Sequence, residues 1–146
     1  MNLSGSSAFS VAGVGDVNGD GFDDVVLGSP QWGDTYGSEG RAYLYYGNGS
    51  GLSSAPDAMF DPADQSASSF GYSVAPAGDV NGDGYADMIV GAAHFSVPNS
   101  SGGYYHGRAY VYHGSPSGFS TTPDWFANGD STSFFGWAVD SAGDVN

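Results

Sequence analysis

The stretch DVNGDGFDD, from Asp16 to Asp24, returns as DVNGDGYAD from Asp79 to Asp87. Each copy sets Asp, Asn and Asp at positions one, three and five, Gly at six and Asp at nine. Side chains at alternate positions of a tightly curled loop can reach a single centre. A hard cation such as calcium takes six to eight oxygens from such a set. The predicted ligands of the first loop are Asp16, Asn18, Asp20 and Asp24, with the main-chain carbonyl of Phe22. Those of the second are Asp79, Asn81, Asp83 and Asp87, with the carbonyl of Tyr85. Asn-Gly and Asp-Gly also make ordinary hairpin turns. Two loops that match at every ligand position argue for metal binding instead.

The residues after each loop separate this pattern from other calcium modules. An EF-hand needs a bidentate Glu at position twelve and a helix beyond it, whereas position twelve here is Leu27 or Val90. Val25-Val26-Leu27-Gly28 and Met88-Ile89-Val90-Gly91 are short apolar runs closed by Gly, which predict buried strands. The cation would then pin a connection between two strands.

The loops belong to a longer repeat of 79 − 16 = 63 residues. Gly40-Arg41-Ala42-Tyr43-Leu44-Tyr45-Tyr46-Gly47 returns as Gly107-Arg108-Ala109-Tyr110-Val111-Tyr112-His113-Gly114, and Pro56-Asp57 as Pro123-Asp124. Phe70-Gly71-Tyr72-Ser73-Val74-Ala75 returns as Phe135-Gly136-Trp137-Ala138-Val139-Asp140. A third loop begins at Asp144-Val145-Asn146. The second unit predicts strands near Phe70 to Pro76, Asp87 to Ala92, Arg108 to His113 and Pro123 to Ala127. Four antiparallel strands per repeat point to an all-β fold of β-propeller blades, two blades plus one extra strand. The expected units are residues 1–66 and 67–131, with 132–146 opening a third.

The order Phe-Gly, then DxNxDGxxD, then Gly-Ser-Pro (Gly28 to Pro30) or Gly-Ala-Ala (Gly91 to Ala93), resembles the FG-GAP repeats of integrin α-subunit propellers and related bacterial extracellular proteins. The resemblance implies calcium on the loop joining the first two strands of each blade. The first unit departs from it, carrying Ser7-Ala8 where Phe-Gly is expected, so its innermost strand should pack less well. The family closes rings of about seven blades, more than this chain supplies. The chain is therefore expected to be a piece of a longer array, or to complete a ring as a homo-oligomer of three or four copies. In such a ring the head, Met1 to Asn18, and the tail, Phe134 to Asn146, compete for one inner-strand position.

Sixteen acidic residues oppose two basic ones, a formal charge of −14. Two calcium ions would bring this to −14 + 4 = −10, which leaves nucleic acid and anionic membranes as poor partners. The 40% apolar and 15% aromatic content suits a folded β-rich core. With no Cys there is no disulfide or thiol chemistry. No apolar run is long enough to span a membrane, and the first residues lack a signal-peptide pattern. Calcium loops of this kind suit near-millimolar calcium, which predicts an extracellular or cell-surface setting. The triplets Asn2-Leu3-Ser4, Asn48-Gly49-Ser50 and Asn99-Ser100-Ser101 fit a glycosylation pattern that is common by chance in Ser-rich chains.

No nucleophile and base pair can be read from spacing for His94, His106 or His113, nor an acid and base pair for Asp34 and Glu39, so no enzyme is expected. Arg41 and Arg108, at one repeat position, are expected to pair with acidic loops of their own blades. Trp137, at the place of Tyr72, is expected in the core; Trp32 is the candidate exposed ring for stacking on a sugar. The sequence thus predicts a calcium-binding, non-enzymatic scaffold for adhesion or protein recognition, with a lectin-like propeller that binds a glycan as the alternative.

Overall fold

The structure, a computed structural model, describes residues 8–33, 37–62, 67–98 and 105–142. The third loop at Asp144-Val145-Asn146, Ser7, Asp34, and the triplets at Asn2 and Asn99 lie outside the described residues, as do the far ends of the head and tail segments.

Two antiparallel four-stranded sheets hold eight of the ten strands among the described residues. Strands β1 (Ser10–Gly15), β2 (Asp24–Ser29), β3 (Arg41–Tyr45) and β6 (Ala58–Phe60) form the first, in the order β1-β2-β3-β6. A small hairpin, β4 (Gly47–Asn48) and β5 (Gly51–Leu52), lies between its last two strands. Strands β7 (Phe70–Gly78), β8 (Asp87–Ala92), β9 (Arg108–Tyr112) and β10 (Trp125–Asn128) form the second, again in sequence order. These are two propeller blades, with the aspartate loops joining the first strand of each blade to its second. Of the additional strand, the described residues carry its first contact, a parallel bridge between Gly107 and Phe135. No helix among the described residues is long and apolar enough to cross a membrane.

The fourth strand starts two residues later than the sequence suggests, and the repeated Pro-Asp explains why. Pro123 has no N–H for a ladder, and Asp124 closes the turn from both ends. Its N–H donates to the Val111 carbonyl at 2.9 Å, and its carboxylate accepts the His113 N–H at 2.8 Å. Asp57 does the same in the first blade, toward Leu44 and Tyr46. Pro76 pairs with Met88 inside β7, which is tolerable because β7 is an edge strand.

Pleating sends alternate side chains to opposite faces, so each blade can bury two. Val26, Leu44 and Phe60 of the first blade meet Met88, Val90 and Tyr112 of the second in one continuous core. The rings of Phe60 and Tyr112 meet edge-on at 5.1 Å, and those of Phe70 and Tyr110 at 5.3 Å. The outward faces stay open, with Val11 and Met59 exposed on one side and Trp125 on the other.

The seam between blades is a backbone contact. Ser10 Oγ donates to the Gly71 carbonyl at 2.9 Å, and Ser73 Oγ to the Gly136 carbonyl at 2.9 Å, one repeat on. A Cβ at Gly28 would lie 2.1 Å from the Gly71 carbonyl oxygen, and one at Gly91 would lie 1.9 Å from that of Gly136. Phe70 bridges to Gly40 as Phe135 bridges to Gly107. The Phe-Gly step of one repeat is therefore clamped between the second and third strands of the repeat before it. Ala8, at the first such step, is exposed.

Overpacking a fixed contact costs about 1–3 kcal/mol. Gly28→Ala should destabilise by about that amount in urea unfolding, whereas Gly13→Ala, whose added methyl meets no atom of the described residues within 4 Å, should be near neutral. The Tyr112 hydroxyl is buried without a hydrogen-bond partner among the described residues, and burial holds its pKa far above the usual phenol value. Tyr112→Phe should therefore raise the unfolding midpoint, by up to about 1 kcal/mol in stability, since it removes an unmet polar group and keeps the ring.

Candidate metal centres

Each loop curls because its own side chains replace the hydrogen bonds that a strand would supply. Asp16 Oδ1 accepts from the N–H groups of Gly19 and Asp20, and Oδ2 from that of Gly21 at 2.8 Å. Asn18 Oδ1 accepts from the Asp20 N–H, and Asp20 Oδ1 from the Phe22 N–H, both at 3.0 Å. Asp79, Asn81 and Asp83 repeat every one of these bonds, with the N–H groups of Gly82, Asp83, Gly84 and Tyr85 as donors. At position six, Gly21 and Gly84 have φ of 91° and 93°, the left-handed region the sharp turn requires.

Position nine behaves differently. Asp24 and Asp87 are fully buried. Asp24 Oδ2 accepts from the Val17 N–H at 3.0 Å and Oδ1 from the Gly47 N–H at 2.8 Å. Asp87 binds Val80 and Gly114 in the same way, at 2.7 and 2.8 Å. This carboxylate lashes the loop to the turn after the third strand.

The charges of the loop press on one another. Burial raises the Asp24 pKa; the Val17 and Gly47 N–H groups oppose this, and the Asp20 and Asp16 charges add to it. Burial acts to raise the Asp16 pKa too, but the N–H groups of Gly21, Gly19, Asp20 and Asn18 outweigh it and hold the carboxyl below its ordinary value. At Asp83 the Tyr85 N–H and the Asn81 amide lower the pKa, and nearby His113 contributes in the same direction. Among the described residues no three His, Cys, Asp or Glu groups stand close enough together to hold a metal as they are. The donor chemistry nonetheless fits an oxygen-seeking cation. Asp16 Oδ1 accepts two hydrogen bonds, but Asp16 Oδ2, Asn18 Oδ1 and both carboxylate oxygens of Asp20 accept one each and keep a second lone pair. The same holds at Asp79, Asn81 and Asp83.

Arg41 pairs with Asp61 at 2.5 Å as expected, and its guanidinium also lies 3.3 Å over the Trp32 ring. Arg108 departs from the expected acidic partner. Its Nε donates to Asn128 at 2.6 Å, and the guanidinium stacks on Phe95 and Phe126. Trp32 is half-buried beneath Arg41, so the ring expected to serve a sugar has one face occupied. Trp137 is half-exposed and not in the core, and tilts on Tyr72 at 4.4 Å, while Phe9 also meets Tyr72 at 4.9 Å.

The imidazoles have structural partners. His94 Nδ1 meets Ser69 Oγ at 2.9 Å, buried His106 accepts the Val97 N–H, and His113 stands 3.9 Å from Asp124. The positive φ of Ser38 and Ser69 recurs at Tyr105 and Phe134, the matching repeat positions, which makes it part of the blade joint.

Asp24→Ala should cost about 2–4 kcal/mol even in chelator, because two buried N–H groups lose their acceptor. Asp16 and Asp24 act on pH dependence with opposite signs. The lowered Asp16 pKa adds stability above the ordinary carboxylate range, lost as pH falls through its folded value. The raised Asp24 pKa adds stability at low pH, lost as pH rises through its folded value. In chelator, Asp20→Asn should therefore raise stability at pH 7 by a few tenths of a kcal/mol, an exposed-charge magnitude, and this gain should vanish in acid.

Residues 16–90 match the FG-GAP-like repeat family, and residues 70–112 match the FG-GAP repeat. The chain is 37% identical over 141 residues to integrin alpha-6 of Gallus gallus, covering 94% of this chain and 12% of that protein. Identity to integrin alpha-6 of Homo sapiens is 34% over 146 residues, covering 94% and 11%. Integrin alpha-3 of Cricetulus griseus is 30% identical over 142 residues, covering 94% and 13%. The chain thus spans about an eighth of the length of these relatives. Since the matched segment runs through the first aspartate loop, the seam and the second loop, the chain belongs to the FG-GAP repeat family.

Proposed function

We propose that this chain is a calcium-stabilised, non-enzymatic pair of propeller blades, acting outside the cell as a scaffold for adhesion or protein recognition. The observation that carries the reading is the identical curl of the two loops, bond for bond, each with three oxygen-bearing side chains turned onto one stretch of backbone. Calcium would be held by Asp16, Asn18 and Asp20 with the Phe22 carbonyl, and by Asp79, Asn81 and Asp83 with the Tyr85 carbonyl. Asp24 and Asp87 would brace the two sites and supply a further oxygen to each. The ion would neutralise carboxylates that otherwise repel, and so lock the connection between two strands. Similarity to integrin alpha subunits supports the adhesion setting, and near-millimolar extracellular calcium suits loops of this kind. In this reading residues 1–66 and 67–131 are the blade units.

The open faces at Val11 and Met59 and at Trp125 call for cover by further blades of the same kind. Further repeats in one longer polypeptide would supply it, and so would a closed ring of three or four copies of this chain. Light scattering with calcium separates the two, since a monomer at micromolar concentration rules out the ring. A glycan-binding reading keeps one observation in its favour. A cleft of about 330 Å³ lined by Phe9, Tyr72, His94 and Tyr105 borders the half-exposed Trp137. Glycan-array binding lost in Trp137→Ala would favour it over the protein-recognition scaffold.

Calorimetric titration should find two calcium sites per chain. Asp83→Ala should leave one and should lower the melting temperature more with calcium present than in chelator. No calcium uptake by the intact chain would overturn the metal assignment.

A further inference from the structure

The two loops are bonded alike internally but are not equally covered. Val17, at position two of the first loop, is 0% exposed, and its repeat partner Val80 is 57% exposed. The cover comes from the second blade. The Ala86 N–H donates to the Asp16 carbonyl at 3.2 Å, and the Ser115 N–H to the Val17 carbonyl at 3.1 Å. The Tyr85 ring lies on Gly19, so close that a Cβ there would stand 2.7 Å from Tyr85 Cε1. At Gly82, the same place in the second loop, no atom of the described residues lies within 4 Å of such a Cβ.

We propose that each cation loop is completed by the next blade along the chain, and that the Tyr85 side chain is a positioning residue for the cation of the first loop. Tyr85 then has two roles in two sites. Its carbonyl belongs to the second loop, and its ring holds the first. The inference rests on the calcium reading above and adds an order of affinity to it. A loop whose carbonyls are already bonded and whose glycine is covered loses less freedom when it closes on an ion, so it binds more tightly. The first loop meets that condition. Among the described residues the second loop has its own Asp87 brace to hold Val80 and no such cover from another blade.

The test uses the full chain and calcium alone, by calorimetric titration. In Asp83→Ala the remaining site is the first loop, and in Asp20→Ala it is the second; the first should bind about tenfold more tightly. Adding Tyr85→Ala should weaken the first loop about tenfold, more than it weakens the second, while Tyr85→Phe restores it. Amide exchange gives a second readout that needs no change at Tyr85. Calcium added to Asp83→Ala should slow exchange at Ala86 and Ser115, in the other blade. Equal affinities of the two loops, a Tyr85→Ala loss at the second loop as large as at the first, or unchanged exchange at Ala86 and Ser115 would overturn the proposal while leaving the calcium sites in place. Absence of calcium binding in both single-site variants would overturn the sites and this inference together.

Discussion

Two backbones can approach as closely as they do at Gly28 and Gly71 only where neither carries a side chain, and the arrangement of the blades is a consequence of that approach. The Gly71 carbonyl sits where a Gly28 methyl would be, and Ser10 binds the same carbonyl from the adjoining strand. With the seam that tight, Phe70 lies edge-on against Tyr110 and Phe60 against Tyr112, and the apolar faces of the two blades close on one core. Gly91, Gly136 and Ser73 repeat the device one unit later. Two copies of a backbone contact give the blades a fixed angle to one another that apolar packing alone would leave adjustable.

The buried carboxylate at position nine ties this frame to the loops. Asp24 and Asp87 join the first crossing of a blade to the turn after its third strand through backbone N–H groups. A buried carboxylate near two others is an uneasy arrangement, and the raised Asp24 pKa records that tension. A divalent ion beside it would relieve the repulsion without loosening the brace.

The local parts of this design were legible in the sequence. The alternation of Asp, Asn and Asp with Gly at six dictates a curled loop, because each bond it uses spans five residues or fewer. The strands were legible too, apart from the late start of the fourth, where an Asp that looked like part of a strand turned back to hold His113. Contacts between repeats were not legible. Trp32 and Phe95 are 95 − 32 = 63 residues apart, whereas the arginines above them are 108 − 41 = 67 apart. The extra residues before Arg108 hid the shared stacking of arginine on an aromatic ring. Trp137 looked like core by analogy with Tyr72, yet burial depends on what stands on its far side, which no local pattern records. The cover of the first loop by Tyr85 escaped notice for the same reason.

The seam also shifts the physical unit away from the sequence unit. Phe70 and Gly71 open the second repeat in sequence but complete the wall of the first blade, and Phe135 and Gly136 do the same for the second. A blade transplanted by its repeat boundaries would leave its latch behind and bring along one shaped for a neighbour it no longer has. The transferable module is staggered, running from just past one Phe-Gly step through the next.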